Sequence, residues 1–390
     1  MISVEAALGH LFNLVAPLET EHVSLLNAGG RVLASPVTAS RDQPPFAASA
    51  MDGYAARAAD AFSGATLHVV GEAAAGHAFE GPVGAGQAVR IFTGAPVPEG
   101  ADTILLQEDV DAAGTRITIT DRHRAENWIR PAAGDFRAGS QIAAPRRLSS
   151  ADVALLAAMN VPEVPVHRAP DVALIATGDE LVMPGDTPGP DQIIASNSFG
   201  LATLLRDLGA TPRLLPIARD SKAALNTVLD LAEGADLIVT IGGASVGDHD
   251  LVGAVAAERG LERSFYKVAM RPGKPLMAGR MGETVLVGLP GNPVSAMVCG
   301  HVFLAPVIRR LQGLKAAPMP RSTAPLAVSL EKNGPREHYM RATLNAGHLS
   351  PDPRQDSSLL SVLGQANALL IRPPHDPART AGTPVDYLPI

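Results

Sequence analysis

The chain has 390 residues, enough for two to four domains at ~100 to 200 residues each. Its 32 basic and 39 acidic residues give a net charge of −7, the opposite of the basic surface with which proteins bind nucleic-acid phosphates. Because Cys299 is the single cysteine, the chain alone cannot form a disulfide, a thiolate zinc site or an iron–sulfur cluster. Nucleic acid is therefore not an expected partner. The cysteine content fits a protein of the reducing cytoplasm.

Two segments of the sequence bear on targeting and on membrane insertion. The first residues, Met1 to Glu5, lack the cationic region and apolar core of a signal peptide. The longest apolar run, Ala296 to Ile308, contains Gly300 and Pro306 and is shorter than the ~20 residues that span a bilayer. We therefore expect a soluble protein that makes no membrane contact.

The first 168 residues combine helical and β-type patterns. Apolar residues of Ser3 to Leu14 share one helical face and predict an opening helix. A β module is predicted between Gln43 and Arg137 from the short segments Thr66–Val70, Ala88–Ile91, Thr103–Leu106 and Arg116–Thr120. A capped helix is predicted at Ser149 to Met159. If the β module is an insertion, the two helices could pack together as one discontinuous domain.

From Asp171 the pattern alternates between strands and helices. The predicted strands are Val172–Ala176, Arg213–Ile217, Leu237–Ile241, Phe265–Ala269 and Val285–Leu289, and the predicted helices are Ser196–Leu208, Ser221–Glu233, one after Asp250, and Val294–Leu311. This alternation favours a doubly wound parallel sheet with helices on both faces. After Pro318 a small β domain is predicted from the segments Leu326–Leu330, Tyr339–Leu344 and Ala368–Ile371.

In doubly wound sheets, ligands bind beyond the carboxyl ends of the strands. The loops predicted there are Thr177–Glu180, Gly242–Asp250 and Pro290–Pro293. The second loop is rich in glycine and precedes a helix, so its N–H groups could hold a phosphate beside the Ser245 hydroxyl. A plain tight turn is the alternative, because no Walker A or GxGxxG pattern is present.

Residues 243–247 also match the G-x-S-x-G nucleophile elbow of α/β-hydrolases. A hydrolase would need an acidic residue and then a histidine further along the chain. The available histidine, His301, lies in an apolar helical segment, where a packed side chain is the better interpretation. The hydrolase hypothesis is kept as a minor alternative.

Several charged residues fall at the same predicted edge of the sheet. The acidic ones are Glu180, Asp220, Asp248 and Asp250. Converging carboxylates suit Mg²⁺, which commonly bridges carboxylates and substrate phosphates. Arg271 and Lys274, in the loop Met270–Pro275, would hold a phosphate or another oxyanion. Each of these residues taken singly is equally well explained as a solvated loop charge.

Two further acidic residues lie upstream. Asp52 belongs to Ser49–Ala55, and Asp135 belongs to Ala133–Phe136. The turn-forming composition around them can be wholly structural, so neither residue is informative alone.

Six segments occur together in the order found in one enzyme family. They read SAMDGYA, IFTGAPVPEGADTILLQED, TGDEL, GGASVGDHD, RPGKP and GLPGNPVSA. On these motifs the chain resembles the molybdopterin molybdenumtransferases, which include the E domain of gephyrin. The resemblance extends over nearly the whole chain, as far as SSLLSVLGQANALLI near its end.

The resemblance implies a multidomain α/β fold with a central, adenylyltransferase-like parallel-sheet domain. The implied domains are a discontinuous helical N-terminal domain (1–42 plus 138–168), an inserted β module (43–137), a molybdopterin-binding α/β domain (169–316) and a C-terminal β barrel (317–390). It also implies an elongated homodimer. Each active site would then lie between the central domain of one subunit and the SAMDGYA segment of the other.

The implied activity is molybdenum cofactor biosynthesis. Family members insert molybdate into adenylylated molybdopterin in the presence of Mg²⁺ and release AMP. The pterin supplies the two sulfurs that bind the metal, so the protein needs no cysteine ligands. Further partners implied are the molybdopterin adenylyltransferase and acceptor molybdoenzymes.

The motif match also implies roles for individual residues. The implied catalytic carboxylates are Asp52 (supplied by the second subunit), Glu180, Asp220 and Asp250, of which the last three are also the implied metal ligands. The implied substrate-binding residues are Thr93, Asp135, Gly242, Gly243, Ser245, Gly247, Arg271, Lys274, Pro290 and Pro293. The glycines and Ser245 would line a phosphate pocket, the two cations would hold molybdate or phosphate, and the two prolines would shape the pterin rim.

The chain departs from the family pattern at three places. Ala195 stands before Ser196 where many relatives have an acidic residue, which argues against a metal contact there. The glycine loop begins GGAS where GGVS is common, and residues 351–356 replace an expected glycine-rich turn.

Two alternative functions are an ATP-dependent molybdopterin adenylyltransferase, whose single domain would resemble the central one, and a non-catalytic cofactor carrier or scaffold.

Overall fold

The computed structural model describes residues 1–124, 126–243 and 251–390. Its helices, in chain order, are α1 (Val4–Leu14), α2 (Ser150–Ala158), α3 (Asn197–Asp207), α4 (Lys222–Leu231), α5 (Leu251–Glu258), α6 (Pro293–Cys299), α7 (Ala305–Leu311) and α8 (Leu360–Leu363). A π-helical turn, Gly300–Leu304, joins α6 to α7.

Short strands dominate the first 167 residues. They are β1 (Thr20–Ser24), β2 (Val32–Leu33), β3 (Val37–Thr38), β4 (Ala48–Ser49), β5 (Gly53–Ala56), β6 (Thr66–Ala73), β7 (Gln87–Ile91), β8 (Thr103–Leu106), β9 (Val110–Ala113), β10 (Arg116–Ile119), β11 (Ile129–Arg130), β12 (Gln141–Ile142), β13 (Arg146–Arg147) and β14 (Glu163–His167).

The remaining strands belong to the central and C-terminal parts. They are β15 (Asp171–Ala176), β16 (Leu181–Val182), β17 (Ile193–Ile194), β18 (Thr211–Leu214), β19 (Leu237–Ile241), β20 (Leu261–Tyr266), β21 (Met270–Arg271), β22 (Met277–Met281), β23 (Thr284–Leu289), β24 (Ser322–Pro325), β25 (Glu337–Asn345), β26 (His348–Pro351), β27 (Ala368–Arg372) and β28 (Pro384–Pro389).

The N-terminal region is built from segments on both sides of the β module. β1 and β2 pair with β14 and β13 in one sheet, ordered β1-β14-β2-β13, and β3 pairs with β12. Helix α2 packs on this sheet through Leu156 and begins with a capping box. The Ser149 hydroxyl accepts from the N–H of Asp152, whose carboxylate accepts from the N–H of Ser149.

The predicted packing of the two early helices on each other is wrong. Val4, Ala7, Leu8 and Leu11 of α1 belong to the hydrophobic core of the central domain. Helix α2 belongs to a different core, formed with β2 and β14. Both helices carry an apolar face, and the sequence pattern does not specify which neighbour covers it.

The β module forms a sheet of its own, ordered β8-β5-β7-β6-β10-β9. β5 lies between β7 and β8, antiparallel to both, with Gly53 opposite Leu106 and Ile91. The strand carries the Gly-Tyr-Ala end of the SAMDGYA segment, so Asp52 lies directly before an interior strand of the module.

The central domain contains the predicted parallel sheet, with the strand order β18-β15-β19-β23-β22-β20. The first four strands are parallel, and β22 and β20 add an antiparallel edge. Strand β22 was not predicted because Gly279 interrupts its apolar alternation. Helices α1, α3, α6 and α7 cover one face, and α4 and α5 cover the other, which is the expected doubly wound arrangement.

The C-terminal strands close into a small barrel. They follow the order β24-β28-β27-β25-β26, and a parallel bridge between Leu326 and Leu349 connects the two ends. The strand predicted at Leu326–Leu330 lies instead at Ser322–Pro325. Strand β21 of the central domain pairs with β25, so the barrel is attached directly beside the loop that carries Arg271 and Lys274.

Within the described residues, one helical stretch is long and apolar enough to cross a membrane. It runs from Pro293 to Leu311, through α6 and α7, and 78% of it is buried inside the protein. The stretch belongs to the largest hydrophobic core, which accounts for its composition.

Candidate active site

A cleft of about 820 Å³ opens at the carboxyl ends of β15, β19 and β23. This is where a parallel sheet leaves strand-end groups available to a ligand. Six of the predicted site residues, contributed by four separate loops, line the cleft: Glu180, Asp220, Gly242, Gly243, Pro290 and Pro293. The fold therefore brings together residues that are up to 113 positions apart in the sequence.

Backbone geometry determines where the Glu180 carboxylate lies. Gly178 has φ +145°, and a Cβ added to it would lie 2.4 Å from Glu180 Oε2. The carboxylate is therefore folded back over Gly178, a position that any side chain at residue 178 would obstruct. Glu180 itself is exposed to the cleft.

Arg219 holds the loop that carries Glu180. Its Nη1 donates to the carbonyl oxygens of Asp179, at 2.7 Å, and Leu181, at 3.1 Å. The N–H of Asp220 donates to Asp179 Oδ1 at 3.0 Å. The loops after β15 and β18 are thus joined, which brings the two predicted carboxylates into one wall. Arg219 was not predicted, although its position immediately before Asp220 was a usable signal.

The glycine turn after β19 packs tightly against the loop after β15. Gly242 has φ +92°, and a Cβ there would lie 2.8 Å from the carbonyl oxygen of Thr177. A side chain at this position would separate the two loops. The predicted residues Ser245, Gly247 and Asp250, together with Asp248, lie outside the described residues.

The C-terminal barrel supplies an unpredicted part of the cleft. The Asn292 amide donates to the Ser357 hydroxyl at 3.1 Å, and Ser358 lines the cleft. From the other side, the Asn197 amide donates to the carbonyl of Gly291 at 2.7 Å. The Pro290–Pro293 loop is thereby fixed by α3 on one side and by the barrel on the other. The segment SSLLSVL was available as a signal but had no role assigned to it.

Positive charge gathers where the central domain meets the barrel. Arg271 and Lys274 are exposed, and the next residue, Pro275, lines the cleft. Arg341 is fully buried, and its Nη2 donates to the carbonyls of Arg354 and Asp356. Among the described residues, its Nε and Nη1 find no acceptor. Two unpaired donors on a completely buried guanidinium carry a desolvation cost in the fold.

His338 lies within the same positive region. Burial, followed by the charges of Arg271, Arg341, Arg372 and Arg336, lowers the pKa of His338 to about 4. The ring is therefore neutral near pH 7, and its Nε2 has no partner among the described residues.

Five predicted residues within the described ranges do not line the cleft: Arg271 and Lys274, and three residues from the first 137, Asp52, Thr93 and Asp135. Asp52 accepts from both the backbone N–H and the hydroxyl of Thr93, each at 2.8 Å. These bonds, with a smaller contribution from the charge of Arg90, hold the pKa of Asp52 below its ordinary value. Asp135 is exposed, and its N–H donates to the Gln43 carbonyl at 2.9 Å. None of the three lines the described cleft.

The described residues bear on the predicted metal site and on the hydrolase alternative. Within residues 1–124, 126–243 and 251–390, no three His, Cys, Asp or Glu side chains come together as a metal site. Two of the predicted metal ligands, Glu180 and Asp220, line the cleft, and the third lies outside these ranges. His301, the residue that a hydrolase would need, is mostly buried, which lowers its pKa to about 4.

Comparisons with known proteins agree with this geometry. Family models match three consecutive regions: the MoeA N-terminal region (domain I and II) over residues 2–160, the probable molybdopterin binding domain over 173–310, and the MoeA C-terminal region (domain IV) over 323–390. The molybdopterin molybdenumtransferase of Nostoc sp. is 37% identical, over 96% of this chain and 90% of that protein. This chain belongs to the molybdopterin molybdenumtransferase family.

Other relatives extend the comparison within the family. The molybdopterin molybdenumtransferase of Haemophilus influenzae is 35% identical, over 85% of this chain and 83% of that protein. The crystal structure of the molybdopterin biosynthesis MoeA protein from Pyrococcus horikosii has a TM-score of 0.83 at 28% identity, covering 99% of this chain and 98% of that one. The predicted family, the enzyme class and the multidomain α/β fold with a C-terminal β domain are confirmed.

Proposed function

We propose that this protein transfers molybdenum from molybdate into adenylylated molybdopterin and releases AMP. The observation that carries the proposal is the convergence of Glu180, Asp220, the glycine turn and the Pro290–Pro293 loop on one cleft, in a member of the molybdenumtransferase family. Such a substrate needs carboxylates, a phosphate cradle and an apolar rim at neighbouring strand ends.

The phosphoanhydride would be held at the glycine turn. Gly242 and Gly243 pack closely against Thr177, because a side chain at either position would collide with this residue, and both line the cleft. Ser245 and Gly247 would continue the same cradle. Close approach of backbone N–H groups to phosphate oxygens orients the anhydride without adding charge to the protein.

The donor set suits Mg²⁺. Glu180 and Asp220 offer exposed carboxylate oxygens in the cleft, and this cation commonly binds one or two carboxylates and completes its coordination with water and phosphate oxygens. Asp250 is the proposed third ligand. When bound, Mg²⁺ would offset the charge that develops as the phosphoanhydride breaks.

Molybdate would bind at the junction of the central domain and the barrel. Arg271 and Lys274 present exposed cations there, and Arg341 adds two unpartnered guanidinium donors behind them. Arg341 is completely buried, so its part would be to add positive potential at the junction, while Arg271 and Lys274 contact the oxyanion. The neutral His338 ring adds no further charge.

The pterin would lie along Pro290 and Pro293. These rigid residues, fixed by Asn197 and Asn292, provide an apolar edge for a flat ring. No protein sulfur is required, because the pterin carries its own dithiolene. Cys299 cannot serve as a ligand, since it is completely buried and burial raises the pKa of its thiol.

The proposal includes a homodimer, four domains and a cytoplasmic location. Asp52, Thr93 and Asp135 do not line the cleft of their own chain, which supports their delivery to the cleft of a second subunit. The proposed domains are 1–42 plus 138–168, 43–137, 169–316 and 317–390, with α1 packed on the third. The molybdopterin adenylyltransferase and acceptor molybdoenzymes are the proposed protein partners.

The test is anaerobic turnover of purified protein with adenylylated molybdopterin, Mg²⁺ and molybdate, with AMP followed by chromatography. We expect AMP release that depends on molybdate and that does not consume ATP. A parallel reaction contains ATP and free molybdopterin. AMP transfer from ATP would identify an adenylyltransferase, and tight pterin binding without either reaction would identify a carrier; both results would overturn the proposal.

A further inference from the structure

An arginine guanidinium lies over two aromatic rings on the β module. Arg90 belongs to β7 and is paired with Tyr54 of β5. Its guanidinium carbon lies 5.0 Å from the centre of the Tyr54 ring and 4.7 Å from the centre of the Phe92 ring. Both distances are within the range in which a cation is attracted to a ring face. The rings therefore restrict the orientation of a long side chain.

Two hydrogen bonds hold the edge of the same guanidinium. Nη1 of Arg90 donates to the carbonyl oxygen of Gly53 at 3.0 Å, and Nη2 donates to Gln107 Oε1 at 2.8 Å. The backbone N–H of Gln107 then donates to the carbonyl oxygen of Asp52 at 3.3 Å. Arg90 is thereby bonded directly to one of two consecutive backbone carbonyls and is connected to the other through Gln107.

The Asp52 carboxylate is held by the same stretch of chain that carries Arg90. Thr93 donates to this carboxylate through its N–H and its hydroxyl, each at 2.8 Å. Phe92, which contacts the guanidinium, directly precedes Thr93 in the sequence. Asp52 and Thr93 are exposed, whereas Arg90 and Phe92 are partly buried. The carboxylate therefore faces solvent, while the groups that set its position are anchored in the module.

The arrangement uses the shape of the guanidinium as well as its charge. Gly53 and Gln107 offer neutral acceptors, so neither bond cancels the positive charge of Arg90. A planar guanidinium can lie on a ring face while it donates from its edge, which the ammonium group of a lysine cannot do. The position therefore requires arginine if its function is to fix the surrounding backbone. It requires only a cation if its function is to attract negative charge.

We propose that Arg90 is a positioning residue for Asp52: held by the rings of Tyr54 and Phe92, it fixes the turn from which the Asp52 carboxylate is presented to the cleft of a second subunit. The proposal rests on the proposed function, because it assumes that Asp52 acts in a shared cleft. Arg90 acts on the reaction through Asp52 and Gln107 and needs no contact with the substrate.

Hydrogen exchange of the full-length protein, followed by mass spectrometry, tests the turn without any substrate. The N–H groups of Thr93 and Gln107 both donate to Asp52, so they are protected only while Asp52 stays in place. We expect both amides to exchange at least about tenfold faster in Arg90→Lys and Arg90→Met than in wild type. Amides of β10, which pairs with β6 and β9 in the same sheet, should keep their wild-type rates.

Turnover measures the consequence for the reaction. We expect kcat for molybdate-dependent AMP release to fall about tenfold in both variants, because the orientation of Asp52 is lost. KM for adenylylated molybdopterin should change by less than about twofold, since the central cleft is intact. Arg116→Lys and Arg116→Met are the matched controls, because Arg116 is an exposed arginine of the same sheet. Both controls should keep wild-type exchange and wild-type kcat.

Three results would overturn the proposal. They are wild-type exchange at Thr93 and Gln107 in both Arg90 variants, full activity of Arg90→Lys, and faster exchange throughout the β module, which would show a structural role instead. Absence of AMP release by wild type would refute the proposed reaction, and local exchange would then still decide whether Arg90 fixes the turn. Phe92→Leu, which removes one ring, provides the same exchange measurement if neither Arg90 variant folds.

Discussion

Glu180 shows how one residue depends on the backbone around it. Its carboxylate lies over Gly178, and its loop is held by Arg219. It is exposed, so it contributes little to the stability of the fold while facing the cleft. A carboxylate in this setting is available for catalysis.

We expect Glu180→Gln to lower AMP release by at least about 100-fold, because the substitution removes the negative charge without changing shape. The free energy of unfolding should change by less than about 0.5 kcal/mol. Turnover and urea denaturation check the two expectations. Glu80→Gln, an exposed carboxylate of the β module, is the control. Equal turnover in Glu180→Gln and wild type would remove Glu180 from the site.

The lowered pKa of His338 predicts that the free energy of unfolding depends on pH. Its folded pKa of about 4 lies below the ordinary 6.5, so the unfolded state binds more protons between these values. The contribution of the neutral His338 ring to the free energy of unfolding is therefore fully present above pH 6.5 and is lost as the pH falls toward 4. One such histidine lowers the free energy of unfolding by about 2 kcal/mol as the pH falls from 6.5 to 4.5.

His338→Gln should reduce this loss, since the glutamine amide does not titrate. Urea unfolding of both proteins at pH 7 and pH 5 measures the difference. Carboxylates titrate in the same range but are common to the two proteins. Parallel loss of stability in wild type and His338→Gln would show that the ring is not the titrating group.

At the scale of elements, the loop between β15 and β16 depends on a cation from a different loop. Arg219 donates to three of its carbonyls, and the N–H of Asp220 donates to its Asp179 carboxylate. The carbonyls have a single positively charged anchor among the described residues. The loop is therefore oriented by tertiary contact rather than by its own sequence.

We expect Arg219→Ala to lower kcat for AMP release about tenfold, because Glu180 loses its fixed position. Arg219→Lys should recover only part of this loss, since an ammonium group cannot reproduce the planar geometry of the guanidinium. Stability should change little, because water can replace an exposed donor. A fall in thermal stability that accounts for the lost activity would indicate a structural role instead.

At the scale of the molecule, the protein separates two groups of proposed catalytic residues. Glu180 and Asp220 line the central cleft, whereas Asp52 and its partner Thr93 lie on the β module. The module is connected to the central domain through the N-terminal sheet. A second subunit is the proposed source of Asp52 in each cleft.

Mixing inactive Asp52→Ala with inactive Glu180→Ala should restore part of the activity if the cleft is shared. In a mixed dimer, one of the two sites receives intact residues from both chains, so recovery of about one quarter is expected for random exchange. AMP release after subunit exchange measures it. Absence of recovery, with exchange demonstrated by labelled subunits, would contradict a shared site.

Much of the secondary structure and the family could be predicted from the sequence, because the patterns that indicate them are local. The periodicity of apolar residues predicted α1, α2 and the parallel strands, and Ser149 with Asp152 marked the start of α2. The motifs TGDEL, GGASVGDHD and GLPGNPVSA identified the family and the strand ends that converge on the cleft. Each of these signals lies within a few neighbouring residues.

Tertiary structure alone decided the rest. It packed α1 on the central domain, buried Arg341 with two free donors, and joined Asn292 to Ser357 across 65 residues of sequence. These features depend on which surfaces meet, and the packing free energy that selects them is spread over many distant contacts. Local sequence specified the elements and the chemistry they carry; the packed chain determined which chemical groups face one another.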